Sequence, residues 1–492
     1  MIYTVNVFIG IFLLINACSN KTNLVSIAIK KTNINEVIEE IITNTDKDIN
    51  IGIMAIDANS EKIIFSKNAN RHFVPASSQK IITLAAALHY LGPSYRFNTY
   101  FLTDNYDHHT KTIDNLYIKG SGDPGLMDTD IIKMVIELRQ MGITNIKGNV
   151  FVDDTIFDDV LWSKGAMWDD RTRGYNAPVC GLNINYNKIL IKTKPNFAIN
   201  YDALISIEPL NDFIKLTKKV TTSSLVTNTS MIINHDSQII SWPSIDHQGL
   251  KKNDEIVISG TIALNSNPSY YSLAVHDPAM MLANIVINQL KLVNINFSGD
   301  IVRKQTPNIA KRLVIFQSRT LSEALIDFIK ISNDMASDAL VKAIAAKENK
   351  VVGTYNAGLS LIKTFLEQEV GIRKQSIIVA DGSGLSRYNL ITPKQLVDLL
   401  YYAHNKFYLG PELMVALPIA GSDGTLTNRF KKINNSYIRA KTGSMSGINS
   451  LAGYSYNDKN QKIIFAIMIN GFIGNSYKYT ELQEKILDIL NN

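Results

Sequence analysis

The sequence predicts an α/β sandwich, a single antiparallel sheet held between two layers of helices, with mainly β domains inserted into it. Three observations predict this. Strand-like runs gather at the two ends of the chain, a helix apolar on every side follows the first pair, and a long strand-rich stretch separates the ends. At 492 residues the chain is too long for one ordinary core. With 46% apolar residues and no low-complexity tract it has material for more than one.

Taken in order, the first feature is the apolar run 5–17, too short to span a bilayer and shaped like a signal-peptide core, although no Lys or Arg precedes it. Leu14-Ile15-Asn16-Ala17-Cys18 resembles a bacterial lipoprotein cleavage site, which would acylate Cys18 and tether the protein to a membrane; the plainer reading is a secretory signal cut nearby. Both export the chain to a periplasmic or extracytoplasmic place. Ile34, Val37, Ile38, Ile41 and Ile42 then follow helical spacing, and strands 51–56 and 62–66 flank the turn residues Asp57, Asn59 and Ser60. Behind Pro75-Ala76-Ser77 runs the apolar helix through Ile81, Leu84 and Leu88, which must be central.

At the other end, strands read at 437–442, 448–454 and 463–470, and a closing helix carries Leu482, Ile486, Ile489 and Leu490. These strands can join the first two in one sheet only if the stretch between is looped out. That stretch reads as strands at 115–118, 149–152, 188–192 and 255–263, with one clear helix at 131–141 and another, 279–290, expected to mark the return. The expected division is therefore a signal peptide over 1–17, the first part of the sandwich over 18–96, inserted domains over 97–275 and the second part over 276–492.

Cys18 and Cys180 are the only cysteines, so no disulfide framework is expected, and Cys180 reads as a buried filler thiol. The formal charge of +6 is spread along the chain, which suits loose attraction to anionic wall or membrane polymers and excludes a nucleic-acid stripe. The eight histidines form no HExxH grouping, so neither a metal nor another cofactor is expected.

Three short boxes carry chemistry. Ser77-Ser78-Gln79-Lys80 opens a helix, where residues three apart share a face and the Lys80 amine can approach the Ser77 hydroxyl. Alone, such a pair is usually two surface residues. Here Lys80 lies on an apolar helix, and burying an amine lowers its pKa, which supplies a neutral base to activate a serine. Ser332-Asn333-Asp334 stands between two helices, where its plain reading is a helix cap. Lys441-Thr442-Gly443-Ser444 lies on a late strand; Gly443 admits a substrate backbone close to the edge, and Lys441 and Thr442 offer a cation and a hydroxyl to a carboxylate. Its plain reading is an edge strand with a protective lysine.

Their order is more specific than any one of them. The set resembles the penicillin-recognising serine enzymes, with their Ser-x-x-Lys, Ser-x-Asn and Lys-Thr-Gly boxes. Gly120-Ser121-Gly122-Asp123-Pro124, Tyr175-Asn176-Ala177-Pro178 and Asp381-Gly382-Ser383-Gly384-Leu385-Ser386-Arg387 look like the low-molecular-mass class C penicillin-binding proteins, the D-Ala-D-Ala carboxypeptidase/endopeptidases of peptidase family S13. The resemblance implies a penicillin-binding-protein/β-lactamase-like sandwich, peptidoglycan stem peptides as substrate and β-lactams as acylating inhibitors. It also implies Ser77 as nucleophile, Lys80 as its base, Ser332 as proton relay and Lys441 as the charge holding that relay. Thr442 would take the terminal carboxylate, and the amides of Ser77 and Ser444 would form the oxyanion hole.

One position departs from the family. Its second box ends in Asn, whose amide donates to the substrate carbonyl; Asp334 stands there instead, and an ionised carboxylate only accepts. Either Asn333 substitutes for it or Asp334 is protonated. Asp170, Tyr175 and Arg387 are candidates for binding a diaminopimelate end, against the plainer readings of a turn residue for Asp170 and a structural ion pair for Arg387. Two readings compete with a DD-peptidase. A β-lactamase would turn over a chromogenic cephalosporin, and a non-catalytic wall-binding protein would bind penicillin without releasing peptide products.

Overall fold

A computed structural model describes residues 34–224, 254–431 and 437–492; the export segment and Cys18 lie outside the described residues. The central sheet runs Arg439–Met445, Ile448–Tyr456, Lys462–Asn470, Asn50–Asp57, Ile63–Lys67, with every neighbouring pair antiparallel. The three late strands thus join the two early ones, as their patterns predict.

The period-two alternation of side chains explains why the inner strands are almost wholly apolar. Along Lys462–Asn470, Ile463, Phe465, Ile467 and Ile469 face a core that includes Ile38 and Ile42 of helix Ile34–Thr45 and Leu482 and Ile486 of helix Tyr477–Asn491. Ile464, Ala466 and Met468 face the opposite core, built on helix Lys80–Tyr90. That helix is buried from Lys80 to Leu88. Full burial of each large aliphatic side chain contributes about 1.5–3 kcal/mol, so Ile81, Ile82, Leu84 and Leu88 together hold the helix in place with Lys80 on it.

A second core is built from the intervening stretch. Its largest sheet orders Ile301–Arg303, Val150–Asp153, Leu116–Gly120, Asn98–Thr103, Lys311–Gln317, with parallel and antiparallel pairs mixed. Smaller sheets include the parallel pair Ile214–Ser223 and Asp254–Ala263. Helix Pro278–Leu292, expected to mark the return, instead packs into this second core with helix Asp128–Gln140, through residues such as Met281, Leu282 and Ile131. The strand beyond it, Lys311–Gln317, pairs with Asn98–Thr103, and the chain rejoins the sandwich core at helix Leu321–Lys330. An apolar periodicity reports that a helix is buried, not which of two cores receives it.

Candidate active site

Ser77 sits on a single 3-10 turn, Ala76–Gln79, that leads into helix Lys80–Tyr90. Ala76 adopts φ +48°, a left-handed conformation that alanine seldom takes, and the turn leaves Ser77 half-exposed while Ser78, Gln79 and Lys80 are buried. Two close approaches hold it there. A Cβ on Gly384 would lie 1.9 Å from the Ala76 carbonyl oxygen, and one on Gly443 would lie 2.6 Å from the Pro75 carbonyl oxygen and 2.9 Å from the Ser77 nitrogen. Gly443 therefore makes room for the serine's own turn, a different use from the substrate approach expected of it. Ser450 Oγ donates to the Pro75 carbonyl at 2.5 Å and lies 2.8 Å from Ser78 Oγ, fastening the turn to the sheet.

Lys80 has no exposed side chain. Its Nζ donates to Ser77 Oγ at 2.9 Å, to the Ser383 carbonyl at 2.7 Å and to Asp334 Oδ1. The buried amine is thus close to the serine, as predicted, but it is not the solitary amine that the sequence suggests: a carboxylate 254 positions further along the chain faces it.

Asp334 opens helix Asp334–Asn349, which is buried from Met335 to Ala345. Asp334, Asp338 and Lys342 recur every fourth residue and so share one stripe of the helix, and each reaches a different part of the protein. Asp334 takes Lys80. Asp338 accepts from the amides of Gly382 and Ser383 at 2.7 and 3.0 Å. Lys342, also without exposed side chain, donates to Asp158 Oδ1 at 2.6 Å and to the carbonyls of Asp158 and Val160 at 3.2 and 2.6 Å, with its amine 4.8 Å from the Tyr355 ring centre. Burial, then repulsion from Asp381, pushes the Asp338 carboxyl well above its usual range. Asp381, also raised by burial, collects the amides of Gly384 and Ser386 and the Asn389 side chain.

Ser332, half-exposed, precedes this helix at φ +56°. Asn333 is the helix cap: its Oδ1 accepts from the Ala336 amide at 2.9 Å. The plain reading of this box therefore holds for Asn333, which is buried and fixed at the helix start rather than free to replace the family's Asn.

Lys441 lies on the edge strand of the sheet, fully buried, and donates to the Thr442 carbonyl at 2.8 Å. Burial first and the neighbouring Lys80 second hold its amine well below the ordinary lysine range, with Asp334 opposing. Thr442 Oγ1 donates to Thr425 Oγ1 at 2.7 Å, and Ser444 is exposed on the same edge.

Tyr175 Oη donates to Asp170 Oδ1 at 2.7 Å, and burial together with this bond pushes the tyrosine up to about 12. The exposed Arg387 donates to the Ser446 carbonyl at 3.0 Å, just beyond the edge strand. Among the described residues that backbone contact, not an ion pair, is what holds it. A Cβ on Gly165 would lie 2.3 Å from Ser386 Oγ, so the loop leading to Asp170 and Tyr175 abuts the loop of Arg387. Among the described residues no group of His, Cys, Asp or Glu side chains is arranged to hold a metal ion.

Ser77 on its strained turn and Lys80 one turn on are thus in hydrogen-bond contact, with Asp334, two residues after Ser332, on Lys80 and the strand that carries Lys441 packed against the Ser77 turn through Gly443. The family model described as D-Ala-D-Ala carboxypeptidase 3 (S13) matches residues 34–491. The chain belongs to this family. It is 29% identical over 427 residues to the D-alanyl-D-alanine carboxypeptidase DacB of Haemophilus influenzae, covering 86% of each chain. It is 26% identical over 438 residues to a D-alanyl-D-alanine carboxypeptidase of an Actinomadura species, covering 86% of this chain and 78% of that one. The crystal structure of penicillin binding protein 4 from Haemophilus influenzae superposes with a TM-score of 0.78 at 26% identity, over 92% of this chain and 99% of that one. The penicillin-binding-protein fold is thereby established for this member of the S13 family.

Sequence reasoning missed Asp338, Lys342 and Ser450 in this family member. Asp338 and Lys342 carried a signal that went unused: charges at the fifth and ninth residues of a largely apolar helix need buried partners. Ser450, on a buried strand, carried none.

Proposed function

We propose that the protein is a serine DD-peptidase that cleaves D-Ala-D-Ala ends, as a carboxypeptidase, and D-Ala-diaminopimelate cross-links, as an endopeptidase, through an acyl-enzyme on Ser77. The observation that carries this is the 2.9 Å hydrogen bond from Lys80 Nζ to Ser77 Oγ. In its neutral form Lys80 takes the Ser77 proton as Oγ bonds to the peptide carbonyl carbon, and the carbonyl electron pair moves onto oxygen. The amides of Ser77 and Ser444 receive that oxyanion. On collapse the C–N bond breaks, and Ser332 passes a proton to the leaving amine. Lys441 holds that relay in place electrostatically. Thr442 holds the terminal carboxylate, and water then cleaves the ester. β-Lactams enter the same path and leave slowly.

For specificity, Asp170, Tyr175 and Arg387 would offer an acid, a hydroxyl and a base to the zwitterionic end of diaminopimelate. The protein acts outside the cytoplasmic membrane, after removal of the segment 1–17, with Cys18 as the residue that a lipid would modify. No described helix is long and apolar enough to cross a membrane.

The test is to incubate the purified enzyme with defined stem peptides and cross-linked dimers and to weigh the products. Loss of one alanine from pentapeptides and separation of dimers are expected. Penicillin binding with neither product would turn the reading to a non-catalytic wall protein.

A further inference from the structure

An ammonium has three N–H bonds, and the three contacts of Lys80 Nζ account for all of them: Ser77 Oγ, the Ser383 carbonyl and Asp334 Oδ1. While those protons remain, the nitrogen has no lone pair with which to accept a fourth. Asp334, as a carboxylate, is itself no donor. The family places an amide where Asp334 stands, and Asn333 is tied to the helix start. Two deficits therefore meet at one pair, and Asp334, whose side chain is 15% exposed, is the member open to the cleft.

We propose that one proton shared between Lys80 and Asp334 sets when Ser77 can react: its transfer from amine to carboxylate frees Lys80 as a base and turns Asp334 into a hydroxyl donor toward the substrate carbonyl. The inference rests on the reading of Ser77 as nucleophile. The ground-state step converts ammonium and carboxylate into amine and carboxylic acid, with no proton gained or lost. Lys80 then accepts the Ser77 proton as Oγ bonds to the carbonyl carbon, and the acid hydroxyl donates to the substrate. Asp334 thereby serves in place of the family's amide and also stores the proton that Lys80 must shed.

The pair is competent only while it holds one mobile proton. A second, at low pH, restores the ammonium beside a neutral acid and removes the base. Loss of the first, at high pH, leaves a carboxylate that cannot donate. Acylation of the wild-type enzyme is therefore bell-shaped in pH, and the two limbs belong to the pair as a whole. Other titratable groups act on the pair: Lys188 from the inserted core, Asp338 one turn along and Lys441 on the edge strand on Asp334, and Asp381 on Lys80. Their charges shift both limbs, but none of them is hydrogen-bonded to Ser77 Oγ among the described residues.

The experiment measures the second-order rate of acylation by a chromogenic cephalosporin across pH for the wild type, Asp334→Asn and Asp334→Glu, after peptide mapping of a labelled penicillin. On the alkaline side the wild type falls about tenfold per pH unit, whereas Asp334→Asn, with a permanent donor, stays within about twofold. Equal alkaline limbs in the wild type and Asp334→Asn overturn the proposal. If Asp334→Asn folds, by its melting temperature, yet is inert at every pH, Asp334→Glu decides. Recovery with both limbs supports the shared proton, and an inert Glu variant overturns it. A label absent from Ser77 defeats the functional reading instead, so the two failures are distinguishable.

Discussion

Lys80 and Lys342 are both lysines without exposed side chain, each with three oxygen neighbours that include a carboxylate. They differ in where those oxygens come from. All three around Lys342 belong to one loop of the inserted stretch, Asp158 and Val160, so the amine clamps that loop to helix Asp334–Asn349. Around Lys80 they come from three distant segments, and one is the hydroxyl of a half-exposed serine. Burial lowers the Lys342 amine while Asp158 opposes, and among the described residues no hydroxyl is hydrogen-bonded to it. A buried lysine with three oxygen partners is a clamp at Lys342 and, on the proposed reading, a reaction centre at Lys80, and the partners make the difference.

Replacing each lysine separates the two. Lys80→Met is expected to lower penicillin acylation about 10²- to 10⁴-fold, the range for loss of a positioned base; retention of more than a tenth of the wild-type rate breaks the comparison. Asp123 adds a third kind of buried group. One of its oxygens accepts from the Gly125 amide and the other has no partner, and burial pushes the carboxyl up to about 7 from 3.8. Because the folded state favours the protonated form, the penalty from Asp123 is absent below about pH 4 and grows as pH rises towards 7. The full penalty is about 4 kcal/mol at pH 8. Melting curves of Asp123→Asn and wild type should therefore diverge in favour of the variant between pH 4.5 and pH 8, and parallel curves contradict it.

Lys342→Met is expected to destabilise by about 3 kcal/mol, the lower end for a broken buried pair, because Asp158 retains some access to water. Acylation by penicillin should stay within about threefold, with faster proteolysis of the released loop. A loss of acylation as large as that of Lys80→Met removes the distinction between clamp and site. The smallest effect is expected at Arg387→Ala: about tenfold slower hydrolysis of diaminopimelate peptides, the equivalent of one polar contact, with penicillin acylation unchanged. Equal rates on the diaminopimelate peptide exclude Arg387 from specificity.

The sandwich was legible because apolar residues at period two and near 3.6 mark its strands and helices, and the boundaries of strands such as Lys462–Asn470 follow that pattern closely. Helix Pro278–Leu292 was misplaced because its apolar face fits either core, and only strand pairing beyond it decides. Within the site, Ser77 and Lys80 were legible as neighbours on one helix. The partner of Lys80 was not, since Asp334 reaches it from 254 positions away and the box it belongs to predicts an amide. The conformation of Asn333 was open to sequence only as a generic cap preference, which the structure realises.

Ser77 Oγ, beside the Lys80 amine, is the proposed nucleophile. Treatment of the purified full chain with a labelled penicillin, followed by proteolysis and mass mapping, tests it most directly. The account predicts one adduct, on the peptide containing Ser77, absent from Ser77→Ala. An adduct on another residue, or none on a folded wild-type protein, contradicts it.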